Sequence, residues 1–133
     1  MAEENRLTDI RTVRELLSRH GFHFSKAMGQ NFLINPTVCP RMAETCGASP
    51  ETGVLEIGPG SGVLTRELAA RAGRVVAVEL DERLLPVLRE TLAGRENTEV
   101  VQGDILKLPL AALLEEKFTR PDGARMPVAV CAN

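Results

Sequence analysis

Val54-Leu55-Glu56-Ile57-Gly58-Pro59-Gly60-Ser61-Gly62 joins a short apolar run to three glycines spaced two apart, and a helical pattern begins directly after it. The stretch reads as strand, tight turn, helix. Glycines suit such a turn because backbone N–H groups that approach a ligand need positive φ and leave no room for a Cβ. A turn of this kind forms a nucleotide-sized pocket at a helix N-terminus. A glycine motif by itself is equally compatible with an ordinary loop, so the surrounding pattern must decide.

Downstream the pattern alternates. Val63 to Ala72 carries Leu64, Leu68 and Ala72 four apart, with Gly73 at the expected helix end. Val75 to Val78 is uniformly apolar, which predicts a strand buried on both faces, and Glu79 and Asp81 follow it. Asp81 is expected to cap a helix with Leu84, Leu85, Leu88 and Leu92 inward and Gly94 as its stop. Val100 and Val101 mark a third strand ending at Gly103-Asp104, then a short helix spans Leu110 to Phe118. A breaker-rich loop, Thr119 to Pro127, leads to a fourth strand, Val128 to Cys131, with Asn133 at its exit.

Upstream, Leu7 to Gly21 predicts an amphipathic helix with Ile10, Val13, Leu16 and Leu17 on one face, Thr8 or Asp9 as cap and Gly21 as stop. His20 and His23 lack a third ligand candidate nearby and are expected in solvent. The glycine-containing stretch Ser25 to Leu33 has the periodicity of a loop. A second helix is expected after it, capped by Asn35 or Thr37, holding Pro36 and Pro40 in its first turn and burying Val38, Met42 and Cys46, with Gly47 closing it.

The 133 residues, 44% hydrophobic and 26% charged, suit one α/β domain with a core of its own. No apolar run approaches the ~20 residues of a membrane span, and charged residues occupy the N-terminus where a signal peptide needs its apolar region, so a cytoplasmic location is expected. Cys39, Cys46 and Cys131 form no C-x-x-C pair and indicate neither a disulfide framework nor a zinc site; they are expected as small core residues, and no metal is expected. A formal charge of −2 lends no support to a nucleic-acid partner.

Strands alternating with helices argue for a doubly wound, mostly parallel sheet with helices on both faces, whose ligands bind beyond the carboxyl ends of the strands. Gly58, Glu79, Asp104 and Asn133 follow the four successive strands and should converge on that edge. Glu79 comes 21 positions after Gly58, near the ~20 expected of an acid that accepts hydrogen bonds from ribose hydroxyls. Asp104 can accept from an adenine amine, and Asp81 fits a helix cap better than a ligand contact. A dinucleotide site wants G-x-G-x-x-G, whereas this loop reads Gly58-x-Gly60-x-Gly62 behind an acid, Glu56. S-adenosylmethionine, with a cationic centre, an amino-acid tail and no pyrophosphate, suits such a loop better.

Lys26-Ala27-Met28-Gly29-Gln30-Asn31-Phe32-Leu33, the glycine loop from Val54 to Gly62, Val78-Glu79-Leu80-Asp81 and Gln102-Gly103-Asp104 together resemble the ribosomal RNA adenine dimethyltransferases. The Gly29-to-Leu33 element is the most specific of these, and the likeness is closer to the small-subunit (16S) branch than to the erythromycin-resistance methylases. The resemblance implies a Rossmann-like methyltransferase fold and S-adenosyl-L-methionine as cofactor. It also implies dimethylation of adenine amines in small-subunit rRNA, as a step of ribosome biogenesis, by a monomer. Asn31, Leu33, Gly58, Gly60, Glu79, Asp104 and Asn133 would line the cofactor site, and Asn133 would open the catalytic Asn-Leu-Pro-aromatic motif. The likeness runs from about Ser25 to Asn133, which divides the chain into a helical extension, 1–24, and the N-terminal part of a catalytic domain, 25–133. The rest of the motif and the helical RNA-docking domain lie beyond Asn133, so the chain is expected to be a fragment, inactive by itself. Two other classes stay open: a nicotinamide or nucleotide enzyme on the same fold, and a non-catalytic ribosome-assembly or RNA-binding factor.

Overall fold

A computed structural model describes residues 6–22 and 36–133. Four strands, β1 (Gly53–Ile57), β2 (Arg74–Glu79), β3 (Thr98–Gln102) and β4 (Val128–Ala132), form one parallel sheet in the order β3-β2-β1-β4. The chain winds outward from β1 through β2 to β3 and then returns to the far side of β1. Strand order therefore reverses between β1 and β4, and that reversal leaves a crevice beyond their carboxyl ends.

The pleat assigns the core. Val54, Val75 and Cys131 share one face, packed under α2 (Val38–Thr45) and α3 (Val63–Arg71) through Cys39, Ala43, Leu64 and Leu68. Leu55, Val76 and Val78 point the other way, onto Leu113 of α5 (Leu110–Lys117) and onto Phe118. Helices thus cover both faces, as the alternating pattern predicts. A further cluster joins α1 (Ile10–Arg19) to α4 (Leu85–Thr91): Leu7, Val13, Leu16, Leu17 and Phe22 bury against Leu84, Val87, Leu88 and Leu92.

Several local expectations need correction. Asp9 is the cap of α1, its carboxylate accepting from Arg11 N–H, but Ile10 is partly exposed while Leu7 and Phe22, outside the helix, are buried. Helix α2 buries Cys39 and Ala43 fully, while Met42 and Cys46 are partly buried and packed against the same cluster and Val38 is partly buried, so the centre of its core-facing side falls one residue later than the sequence predicts. Gly73 does not close α3 by positive φ; the helix ends with Ala72 extended, and Gly73 is required because a Cβ would lie 2.2 Å from the Pro50 carbonyl oxygen. Asp81 caps a 3-10 turn, Glu82–Leu84, and the α-helix restarts at Leu85 with Pro86, which has no N–H to donate, in its first turn. His20 is not simply solvated: its Nε2 lies 2.7 Å from Glu90 Oε2, and Arg19 donates to the other oxygen of the same carboxylate at 2.9 Å. His23 lies outside the described residues.

Candidate functional site

Register brings the strand exits to one level. Ile57 pairs with Val78 on one side and Ala132 on the other, and Glu79 pairs with Gln102. Gly58, Glu79, Gly103-Asp104 and Asn133 therefore stand side by side along the carboxyl edge, as expected from their positions after each strand. Three strand spacings of ~4.8 Å make this edge about 14 Å long. Asn31 and Leu33 lie outside the described residues.

The glycine loop has the conformation its sequence requires. Gly58, Gly60 and Gly62 have φ of 74°, 59° and 93°, all in the region that side chains disfavour. Gly58 N–H donates to Val78 O at 2.9 Å, tying the loop to the end of β2, and Gly62 is the N-cap of α3. A Cβ on Gly62 would also stand 2.8 Å from Thr91 Oγ1, so close packing as well as backbone angle fixes that residue. Ser61 Oγ is buried in the same loop with no hydrogen-bond partner among the described residues.

Glu79 is the last residue of β2 rather than the first beyond it, and it is 6% exposed. Its carboxylate joins two exits, accepting from Gly60 N–H at 3.2 Å and from Asp81 N–H at 3.0 Å. Burial pushes its pKa up, and those two backbone donors partly offset the shift. Asp81 Oδ1 accepts from Arg83 N–H at 3.0 Å, which is the capping role the sequence assigns it, and the carboxylate also pairs bidentately with the Arg83 guanidinium, Nε to Oδ1 at 2.9 Å and Nη2 to Oδ2 at 2.7 Å. Asp104 is half-buried, and its Oδ1 accepts from Leu106 N–H at 2.9 Å, shaping the turn beyond β3. Asn133 is exposed at the exit of β4.

Glu56 behaves differently from the reading of an acid presented to the ligand. It is 1% exposed, sits beneath the loop and is held by the Thr65 hydroxyl of α3. Burial lifts its pKa to about 7; the Thr65 hydroxyl pulls it down and the neighbouring Glu79 adds to the rise.

Two apolar side chains at the edge are absent from the residues expected there. Leu80, directly after Glu79, is 60% exposed, and Leu106, two residues after Asp104, is 90% exposed. The one signal for them is an apolar residue in a strand-exit turn before the next helix begins, where no core position exists for it. The edge thus combines backbone donors, two carboxylates and bare apolar surface, which is what a purine nucleoside with a polar tail demands.

Residues 21–133 match the ribosomal RNA adenine dimethylase family. The chain belongs to that family. Ribosomal RNA small subunit methyltransferase A of Listeria monocytogenes serotype 4b is 45% identical over 119 residues, which are 90% of this chain and 39% of the relative. The protein of that same name from Bacillus licheniformis is 47% identical over 126 residues, 95% of this chain and 41% of its own length. Among solved structures, the 23S rRNA methyltransferase ErmE superposes with a TM-score of 0.56 at 36% identity, covering 70% of this chain and 44% of that one. The chain therefore spans about two fifths of the length of the curated relatives it matches. The match begins just after α1 and takes in the whole parallel sheet described above, through β4.

Proposed function

We propose that this chain carries the cofactor-binding part of an S-adenosylmethionine-dependent enzyme that dimethylates adenine amines in small-subunit rRNA. The observation that carries the reading is Glu79, a buried carboxylate locked between the glycine loop and the β2 exit by two backbone N–H groups. Each carboxylate oxygen offers more than one acceptor site, so Glu79 can take ribose hydroxyls in addition to, or in exchange for, the long Gly60 hydrogen bond. Family membership and the names of the relatives support the substrate class.

The residues fit the cofactor. Gly58 and Gly60 let the backbone approach its amino-acid end, Glu79 holds the ribose, Asp104 accepts from the adenine amine, and Leu80 and Leu106 offer apolar surface for the ring. Ser61 Oγ is a buried hydroxyl of the kind that a polar ligand group satisfies. Asn31 and Leu33 complete the set by the family pattern. When bound, the cofactor supplies an activated methyl group on a sulfonium centre.

Asn133, beside Gly58 at the switch point, is assigned to the acceptor. Its side-chain oxygen would accept an N–H of the target adenine and keep the nitrogen lone pair out of the ring, so that catalysis is chiefly positioning and needs no strong general base. By the same reading, residues 1–24 are an extension that contains α1 and 25–133 would be the N-terminal part of the catalytic domain. The enzyme would act as a monomer in the cytoplasm during ribosome biogenesis; no helix among the described residues is long and apolar enough to cross a membrane.

Calorimetric titration with S-adenosylmethionine and, separately, NAD is the first test, and binding of the former alone is expected. Transfer of radiolabelled methyl groups to immature small subunits by the protein containing this chain should yield dimethyladenosine. Cofactor binding without any transfer would favour a non-catalytic assembly factor, and preference for NAD would remove the methyltransferase reading altogether.

A further inference from the structure

Helix α2 turns a stripe of sulfur-bearing side chains toward β4. Cys39, Met42 and Cys46 recur at spacings of three and four, so they share one side of the helix. Cys131 of β4 belongs to the same buried cluster as Cys39, and Met42 and Cys46 pack against that cluster. The sequence shows no C-x-x-C pair because this grouping is made across two elements. Met42, Cys46 and Cys131 also line a concavity of about 460 Å³ between α2 and the outermost strand of the sheet, whereas Cys39 does not reach it and is 1% exposed.

The two thiols at the concavity are in contact. Cys46 donates its S–H to Ala43 O at 3.3 Å, which leaves its sulfur free to accept, and the Cys131 thiol is hydrogen-bonded to Cys46. Burial first, then Cys46 and Glu56, push the Cys131 pKa up to about 11. At neutral pH that thiol keeps its proton and is a poor nucleophile, so the pair is not arranged for alkylation or redox catalysis. A soft cation acts differently, because a thiol that coordinates a metal gives up its proton outright.

The donor set selects the ion. Thiolate and thioether ligands favour soft metals. A structural zinc ion takes a full tetrahedron of ligands, and no group of three or more His, Cys, Asp or Glu side chains able to hold a metal occurs among the described residues. Two thiols with a methionine beside them suit copper(I), a soft ion for which Cys and Met are the matching ligands. We propose that Cys46 and Cys131, with Met42 as a third donor, form a binding site for copper(I). Two S–H bonds break, two Cu–S bonds form, both protons go to solvent and the copper stays Cu(I), so no oxidant or reductant is consumed. Two thiolates on one Cu(I) leave a net negative charge, and Arg41, which lines the same concavity, is the cation beside it.

Anaerobic titration of copper(I), delivered as its bathocuproine disulfonate complex, into the protein containing this chain tests the site. Wild type should take up one more equivalent than Cys46→Ala. Loss of an outer partner of a metal ligand costs about 10- to 100-fold in affinity, so loss of a thiolate in Cys46→Ala or Cys131→Ala should cost at least about 100-fold. Met42→Leu, which keeps the size and removes the thioether, should cost about tenfold, and Cys39→Ala should bind as wild type. Copper(I) should also raise the thermal unfolding midpoint of wild type and leave that of Cys46→Ala unmoved. Cys46 is only partly buried, at the C-cap of α2, so this variant reads the site even if Cys131→Ala fails to fold. Equal copper(I) uptake by wild type and Cys46→Ala would overturn the proposal. An equal loss in Cys39→Ala would overturn it as well, by moving the ion into the core behind the concavity. So would zinc(II) bound one for one as tightly as copper(I), since zinc requires a fuller ligand set than these three residues supply.

Discussion

Glu56 and Glu79 are two acids on neighbouring strands, on the same face of the sheet and at almost the same depth, yet they are held in opposite ways. Glu56 pairs across the sheet with Ala77, two residues before Glu79, so the two carboxylates sit under and beside one glycine loop. Burial disfavours the charged form of both. Glu79 recovers part of that cost from two backbone N–H donors, whereas Glu56 has a single hydroxyl and the added repulsion of Glu79. Backbone donors favour the carboxylate specifically, while a hydroxyl can serve either protonation state by turning. The difference separates an acid built to receive a ligand from an acid that supports the loop from below.

The largest effect expected from this contrast is on stability. The Glu56 pKa rises from an ordinary 4.5 to about 7, so across that interval the folded chain keeps a proton that the unfolded chain has released. Its contribution is fully present below about pH 4.5 and is lost as pH climbs through about 7, a change of ~3 kcal/mol at most by the usual conversion. Glu56→Gln should therefore leave stability nearly unchanged at about pH 5 and raise it at about pH 8, measured by urea unfolding. If wild type and variant showed the same pH slope, Glu56 would be ionised in the folded chain and the contrast with Glu79 would fail.

Binding comes next. Glu79→Ala removes a charge-assisted acceptor and should cost roughly 1.5 to 3 kcal/mol of S-adenosylmethionine affinity, one to two powers of ten. Because its pKa is also raised, wild-type affinity should decline on acidification before the ordinary carboxylate range is reached. An unchanged dissociation constant in Glu79→Ala would show that the cofactor is held elsewhere.

The same contrast shows what is readable in the sequence. Strand exits follow from apolar runs bounded by glycines and acids, so Gly58, Glu79, Asp104 and Asn133 can be placed on one edge to within a residue, and the register of the sheet bears that out. What a carboxylate faces does not follow from its position along a strand. Glu56 reads as a flank of the ligand loop, but the pleat turns it onto Thr65 of α3, nine residues on. The centre of the buried side of α2 is hidden because Val38, Met42 and Cys46 have the same spacing as Cys39 and Ala43, and only packing decides which of the two adjacent rows is buried fully and which partly. Leu80 and Leu106 escape a sequence reading because an exposed apolar side chain has no periodicity to announce it.

Asp104 tests whether the third exit resembles Glu79 or Glu56. It is half-buried and accepts one backbone bond, from Leu106, in the turn that carries the exposed Leu106 side chain. Asp104→Ala should weaken S-adenosylmethionine binding by about 1 kcal/mol, roughly fivefold, through loss of a single hydrogen bond from the neutral adenine amine. Asp104→Asn keeps an acceptor for Leu106 N–H and should weaken binding less. Equal losses in the two variants would assign the effect to the charge of Asp104 and not to its hydrogen bond.

The smallest effect, and the finest probe of the contrast, is at Thr65. This residue is fully buried in the first turn of α3, and its hydroxyl is the donor that pulls the Glu56 pKa back toward its ordinary value. Thr65→Val keeps the shape and the β-branch but removes that hydrogen bond from both protonation states of Glu56, so stability should fall by about 1 kcal/mol where Glu56 is neutral. Above about pH 7, where wild-type Glu56 ionises, the carboxylate loses its donor as well and the deficit should widen. Thr65→Ser, which restores a hydroxyl at the cost of one methyl group, should return the pH dependence to the wild-type curve even if it does not return all of the stability. Unfolding measured across that pH range distinguishes the two contributions. A deficit in Thr65→Val that stays constant with pH would mean that the hydroxyl does not discriminate between the acid and the carboxylate, and that burial and Glu79 alone set the Glu56 pKa.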